Sequence, residues 1–152
     1  MSVSVGYVTG GTLNLRAQAD RYSDRLASIP NDTDLVLLYN GTGTPSWYMT
    51  IFEMHEGYVM ADYINITGTN EPYWKYVLGL TNLYNGCSNS LFVKNLQELL
   101  RDAPQNFYTG AIDGIFGDGT EAAVRAMQRA AGLDADGIVG PQTKAALVPE
   151  YV

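Results

Sequence analysis

The stretch Asp113-Gly114-Ile115-Phe116-Gly117-Asp118-Gly119-Thr120 recurs 23 residues later as Asp136-Gly137-Ile138-Val139-Gly140-Pro141-Gln142-Thr143. Each copy leads into a small-residue helix start, Glu121-Ala122-Ala123-Val124 in the first and Lys144-Ala145-Ala146-Leu147 in the second. Asp-Gly makes a tight turn in which glycine supplies an unusual backbone angle. The Ile/Val that follows is expected to plug into the core, and the second glycine lets the chain enter a helix. A threonine near the first turn can satisfy N–H groups that the helix leaves unpaired. Two such turns predict a compact, pseudo-symmetric helical scaffold.

Around the repeat the apolar period is 3.6. Residues 92, 93, 96, 99 and 100 form one helical stripe in Phe92-Val93-Lys94-Asn95-Leu96-Gln97-Glu98-Leu99-Leu100. A second helix is predicted from about Thr120 to Ala131, burying Ala123, Val124, Met127 and Ala131. Gly132 suits the left-handed position that closes it. A third, shorter helix follows Pro141, which fits a first turn, and includes Thr143 to Leu147.

Upstream the period is 2. Short apolar runs at Val3–Val8, Thr12–Leu15, Leu26–Ile29, Leu35–Tyr39, Trp47–Phe52, Tyr58–Met60 and Tyr63–Ile66 are separated by turn clusters. Seven strands in so short a stretch predict a small, strongly bent barrel rather than a sandwich. Within it Leu35-Val36-Leu37-Leu38 reads as buried on both sides. The fold class is thus two-domain, all-β followed by all-α: residues 1–66, an aromatic connector 67–82, and residues 83–152. Tyr73, Trp74 and Tyr76 are too apolar for a free tether and are expected to pack against one domain or bridge both.

Composition narrows the function. The 152 residues carry a net charge of −7, with 46% apolar residues, one cysteine and one histidine. No run approaches the roughly 18 apolar residues of a membrane span, so membrane insertion is not expected. The acidic balance opposes nucleic-acid binding, since nothing offsets phosphate repulsion. Residues 1–68 hold 3 basic and 7 acidic side chains and residues 69–152 hold 6 and 9, so each half is mildly acidic, −4 and −3. That spread reads as solubility and disfavours long anionic polymers as the main ligand unless cations bridge them. Eleven of the seventeen aromatic residues are tyrosine. Tyrosine suits half-exposed surfaces that stack and hydrogen-bond, and it is also simply a good strand residue.

These residues resemble known families. Val93-Lys94-Asn95-Leu96-Gln97, Ile112-Asp113-Gly114-Ile115-Phe116-Gly117, Thr120 to Gln128, Gly132-Leu133 and Asp136 to Thr143 together resemble the three-helix peptidoglycan-binding domain. Met127 stands where that family has Phe, and Asp118 where it often has Pro. Leu13-Asn14-Leu15-Arg16, Leu35 to Leu38, Trp47-Tyr48 and Gly57-Tyr58-Val59 resemble the marks of a bacterial SH3-like β-barrel.

Wall-binding modules travel with hydrolases, which makes each candidate catalytic residue of interest. Cys87, in Asn85-Gly86-Cys87-Ser88-Asn89, precedes a helix, and a helix N-terminus can lower a thiol pKa; yet no nucleophile motif surrounds it and an ordinary turn explains it. A zinc site of the amidase or peptidase kind needs at least two histidines with a carboxylate, and His55 stands alone, in a hairpin-tip setting. Paired carboxylates carry no signal among sixteen acidic residues. No catalytic residue, cofactor or metal site is expected.

The resemblance implies a non-catalytic peptidoglycan-binding protein, or the targeting region of a wall hydrolase or endolysin, located outside the cell or in the envelope. Met1 to Tyr7 does not read as a signal peptide, which suits a fragment of a larger exported protein, a phage-encoded protein, or export by another route. The partner is peptidoglycan, with the barrel holding a stem peptide or cross-bridge and the bundle docking on the glycan. Ligand contacts are assigned to Tyr7, Asn14, Trp47, Tyr48, Tyr58 and Tyr63 on the barrel, and to Phe107, Tyr108, Asp113, Phe116 and Gln128 on the bundle. Trp47 and Phe116 also read as core residues, and Gln128 as a turn cap. The alternative is a protein-docking or regulatory module of an envelope, spore or phage assembly. An exposed patch of Tyr73, Trp74 and Tyr76 favours that alternative, and a tyrosine-lined concave groove favours the wall.

Overall fold

Alternation and turn chemistry at the start of the chain produce seven strands: β1 (Ser2–Val8), β2 (Leu13–Arg16), β3 (Arg25–Ile29), β4 (Asp34–Tyr39), β5 (Trp47–Phe52), β6 (His55–Met60) and β7 (Ile64–Gly68). One turn of 3₁₀ helix, Ala61–Tyr63, joins β6 to β7. The computed structural model describes residues 1–88 and 90–149, so residue 89 beside Cys87 and the end of the expected helical domain, 150–152, lie outside the described residues. The chain divides into two compact units, Met1–Pro72 and Tyr73–Val152.

In the first unit the strands pair antiparallel in the order β3-β2-β6-β5-β4-β1-β7. The sheet is open, which corrects the expected closed barrel: among the described residues no ladder joins the edge strands β3 and β7. Side chains do what that ladder would have done. Leu26, Ala27 and Ile29 of β3 and Ile64 of β7 pack on the same cluster as Val8, Leu13, Leu15, Leu35, Leu37 and Val59. The edge β3 ends at Ile29, and Pro30, which follows it, has no N–H to extend a ladder. Register shifts at Val5/Gly6 and Leu15/Arg16 bend the sheet around that core. All four residues of Leu35–Leu38 are buried, as their unbroken apolar run predicts.

The second unit contains α1 (Tyr73–Leu78), α2 (Leu91–Asp102), α3 (Asp118–Ala130) and α4 (Pro141–Leu147). The last three are the helices that periodicity predicts. The short α1 forms where the sequence reads as connector, and its Leu78 joins the core of this unit. Val93, Leu96 and Leu100 of α2 and Ala123, Val124 and Met127 of α3 meet in that core, while Phe92 and Leu99 border it. Ala131 is exposed, because α3 ends before it; Gly132, at φ +72°, closes the helix and the Leu133 N–H reaches the Gln128 carbonyl at 2.8 Å.

The repeated turns are built in part differently from the expectation. Val139 and Phe116 enter the core as expected, but Ile115 and Ile138, the residues before them, do not and are 58% and 42% exposed. The threonines do not cap their helices: Gly117 and Gly140 hold the N-cap positions of α3 and α4 with no side-chain cap bond. Instead each turn receives a fully buried glutamine from the preceding helix. The Gln97 Oε1 accepts from the N–H groups of Asp113 (3.1 Å) and Gly114 (3.0 Å), and its Nε2 donates to Asp113 Oδ1, the Ile115 carbonyl and Thr120 Oγ1 at 3.0–3.1 Å. Gln128 repeats the arrangement, accepting from Gly137 N–H and donating to Asp136 Oδ1, the Ile138 carbonyl and Thr143 Oγ1. Gly114 and Gly137 sit at φ +78° and +77°, angles that L side chains strain to adopt.

Replacing Gln97 by leucine keeps the volume and strands several buried donors and acceptors. We expect Gln97→Leu to lower the stability of the helical unit by about 2–5 kcal/mol. Urea unfolding followed by far-UV circular dichroism measures it, and a loss below about 1 kcal/mol would mean that the amide is not what holds the turn.

Candidate functional site

Strand pairing decides which side chains share a face. Arg16 lies opposite Tyr58, Met49 opposite Tyr58, and Trp47 opposite Met60. Cross-strand partners and residues two apart point the same way, so Asn14, Arg16, Tyr58, Met60, Trp47 and Met49 occupy the face opposite the Leu15–Val59 core. Tyr7, two places from Val5 and so in phase with Val36 across β1–β4, belongs to that face too. Tyr48 does not. It pairs with Val59, packs on the core, and meets Tyr39 edge-on with centroids 6.4 Å apart. Burial, with Tyr39 adding to it, raises the Tyr48 hydroxyl above the usual phenol range.

At one end of this face lies a cleft of about 470 Å³, lined by Thr12, Leu13, Asn14, Arg16, Arg21, Tyr22, Met60 and Tyr63. Of the residues expected at the ligand, the cleft brings together Asn14 and Tyr63; Tyr7, Trp47, Tyr48 and Tyr58 lie outside its lining. Arg16, Arg21 and Tyr22 belong to it and are not among the residues expected from the sequence. A signal for the two arginines exists: the three basic residues among positions 1–68 are Arg16, Arg21 and Arg25, all within ten positions.

On the helical unit the expected residues separate by depth. Phe116 is core, Gln128 serves its turn, and Tyr108 is buried with its hydroxyl donating to the Ala111 carbonyl at 2.6 Å. Phe107 is half-buried against the core. Asp113 stays exposed, and so does its counterpart Asp136. The Ile115 N–H and then the Gln97 amide hold the Asp113 carboxyl below the usual range, and Ile138 and Gln128 do the same for Asp136. Leu83 exchanges hydrogen bonds with Val139 at 3.1 and 2.8 Å, and Gly86 N–H reaches the Phe116 carbonyl at 2.9 Å. These bonds carry the segment holding the exposed Tyr84 from the second turn to the first, and Ile115 and Ile138 of those turns are also exposed.

The aromatic segment is not an open patch: Tyr76 is buried, and Tyr73 and Trp74 pack on the helical core. Lys144 of α4 is 1% exposed, donates to the carbonyls of Gly79 (2.9 Å) and Thr81 (2.7 Å), and lies 5.6 Å from the Trp74 ring centre. Desolvation lowers its pKa from 10.5 to about 8. His55 stands exposed on β6, and Cys87 closes a turn through its N–H to the Tyr84 carbonyl at 3.0 Å. Among the described residues no three His, Cys, Asp or Glu side chains are placed to hold a metal, and no helix is long and apolar enough to cross a membrane.

Residues 89–147 match the family described as "Putative peptidoglycan binding domain". An N-acetylmuramoyl-L-alanine amidase, CwlM of Mycobacterium tuberculosis, is 45% identical over 71 residues, 45% of this chain and 17% of the amidase. A spore cortex-lytic enzyme of Bacillus cereus is 52% identical over 42 residues, 28% of this chain and 16% of that enzyme. The chain thus spans less than a fifth of the length of these relatives. A periplasmic domain of the Vibrio vulnificus EpsAB fusion protein aligns over 96% of this chain and 63% of its own at 15% identity, with a TM-score of 0.42, too low a likeness to argue from.

The lowered pKa of Lys144 has a thermodynamic sign. Below pH 8 both folded and unfolded chains carry the proton and the burial penalty is constant; between about 8 and 10.5 the unfolded chain binds more protons, so stability rises with pH. Over that window wild type should gain stability relative to Lys144→Met. Parallel urea-midpoint profiles for the two proteins would refute the buried, singly titrating lysine.

Proposed function

We propose that this protein binds peptidoglycan without cleaving it, as a wall-binding protein or as the targeting region of a wall hydrolase or endolysin at the cell envelope. The observation that carries the reading is the family match over residues 89–147, which falls on the helical scaffold built from the two glutamine-filled turns. On that unit the wall polymer is assigned to the exposed Ile115, Ile138 and Tyr84 with the Asp113 carboxylate, and Phe107 at the margin. On this reading their apolar edges meet sugar rings and the carboxylate accepts from sugar hydroxyls. Tyr108, Phe116 and Gln128 act from behind, by shaping the turns.

The first unit, read as the SH3-like partner, is assigned the peptide part of the wall, with Asn14 and Tyr63 in the cleft and Tyr7, Trp47 and Tyr58 on the adjoining face. Two weak modules on one chain gain affinity through effective concentration. The protein-docking alternative has less support, since the aromatic segment it calls for is packed inward while Tyr22 and Tyr63 line a concave cleft.

The protein should cosediment with purified insoluble peptidoglycan at micromolar concentration and release no soluble muropeptides from it. Retention in the supernatant would overturn wall binding. Muropeptide release that is lost on His55→Ala would overturn the non-catalytic part.

A further inference from the structure

We infer that the cleft of the first unit recognises the free terminal carboxylate of a short peptide, with Arg21 as the main anion contact and Arg16 beside it. This rests on the wall-binding reading for the source of the peptide, a stem-peptide end. It does not rest on that reading for the chemistry.

The cleft concentrates positive charge in a unit that is otherwise acidic. Arg16 and Arg21 both line it, and among the described residues neither guanidinium is paired with a carboxylate. The acidic residues of the same segments, Asp20, Asp24 and Asp62, are absent from its lining. An arginine fork matches a carboxylate with two parallel hydrogen bonds, a fit that a neutral amide cannot reproduce. Arg16 gives one donor, Nη1, to the Ser23 carbonyl at 2.9 Å, which fixes its direction and leaves its other donors available. Arg21 lies 5.8 Å from the centre of the Tyr22 ring, and that ring is 87% exposed.

The loop that carries these groups is organised before any ligand arrives. Ala17 N–H bonds the Asp24 carbonyl at 2.9 Å, Ser23 Oγ and the backbone of Gln18 bond reciprocally at 3.1 and 3.2 Å, and Tyr22 N–H reaches Asp20 Oδ1 at 2.9 Å. The last bond turns the Asp20 carboxylate toward its own loop. Little ordering is left to oppose binding. Leu13, Met60 and Tyr63 supply an apolar wall for the terminal side chain, and Asn14, whose amide has no protein hydrogen bond among the described residues, can pair with the peptide backbone. A volume of about 470 Å³ suits the last few residues of a peptide and is too small for a polymer strand.

The test uses the full 152-residue chain and two probes, diacetyl-Lys-D-Ala-D-Ala and its C-terminal amide, titrated while amide NMR shifts are recorded. The acid should shift residues 12–16, 21–22, 60 and 63 and bind at least about tenfold more tightly than the amide. Arg21→Gln, a change at an exposed loop position, should weaken the acid about tenfold and leave the amide unchanged. Equal binding of acid and amide, an equal effect of Arg21→Gln on both, or no shift in the cleft from either probe would overturn the inference. Cosedimentation with peptidoglycan is measured on the same samples. Its loss with the acid preference intact would overturn wall binding alone, and its persistence without that preference would overturn the carboxylate site alone.

Discussion

A side-chain amide seated inside an Asp-Gly turn is the contact on which the helical unit depends. The turn exposes backbone N–H groups and a carbonyl in opposite senses, and only a group that accepts and donates at once can satisfy both. Gln97 does this for Asp113–Ile115 and Gln128 for Asp136–Ile138. Each amide also reaches the threonine in the first turn of the next helix, Thr120 or Thr143. Since the N-cap glycines bring no side-chain cap, the start of each helix is set by the turn, and the turn by the helix before it. Lys144 on α4 extends the pattern, because its ammonium binds the carbonyls of Gly79 and Thr81. Three buried polar side chains on three successive helices therefore each hold the backbone of another segment. Leaving any one unmet costs more than an ordinary exposed hydrogen bond, since the groups lie out of water.

That logic marks what a sequence reader can and cannot extract from the repeat. The Asp-Gly pair announces a left-handed glycine through local sterics, and both glycines adopt it. The partner of the turn sits 16 residues upstream in the first copy and 8 in the second, so no fixed spacing exposes it. Gln97 and Gln128 do stand where a polar residue interrupts a buried stripe, directly after Leu96 and Met127. A buried position occupied by an amide demands a partner, and that demand was the available clue. The same tertiary bond explains the order of burial within Ile115-Phe116 and Ile138-Val139. Once the turn is pinned from inside, the residue carried into the core is the one after the isoleucine.

The first unit was legible as strands, less so as a closed surface and least as a site. Short runs and turn residues locate every strand, but closure depends on whether two edges meet in register, which composition does not encode. Whether an aromatic residue faces core or cleft likewise depends on pairing parity. Tyr48 and Trp47 are neighbours in sequence and lie on opposite faces. Expecting ligand contacts from tyrosines as a class thus mixed residues that the sheet sorts apart. The arginines were legible by a different signal, their concentration within positions 16–25.

Net charge and site charge act at different ranges, and the distinction bears on what the protein can hold. A charge of −7 spread over both halves repels a polyanion, whose many charges sample the whole surface. A single carboxylate samples only what lies within a Debye length, about 8 Å at physiological salt. The lining of the cleft contains Arg16 and Arg21 and no acidic side chain, and the Asp20 carboxylate beside it is engaged by the Tyr22 N–H. The overall charge therefore selects against long anionic polymers while the local arrangement selects for one anionic group at a chain end. On the helical unit the exposed charges flanking the turns have the opposite sign, Asp113 and Asp136, held in their ionised form by backbone N–H and glutamine donors. On the proposed reading these turns take neutral, hydroxyl-rich donors such as sugars, and the cleft takes the charged end of a peptide. A polymer of neutral sugars bearing short acidic peptides carries both kinds of group, so on the proposed reading the two surfaces would engage it by two chemistries that do not compete.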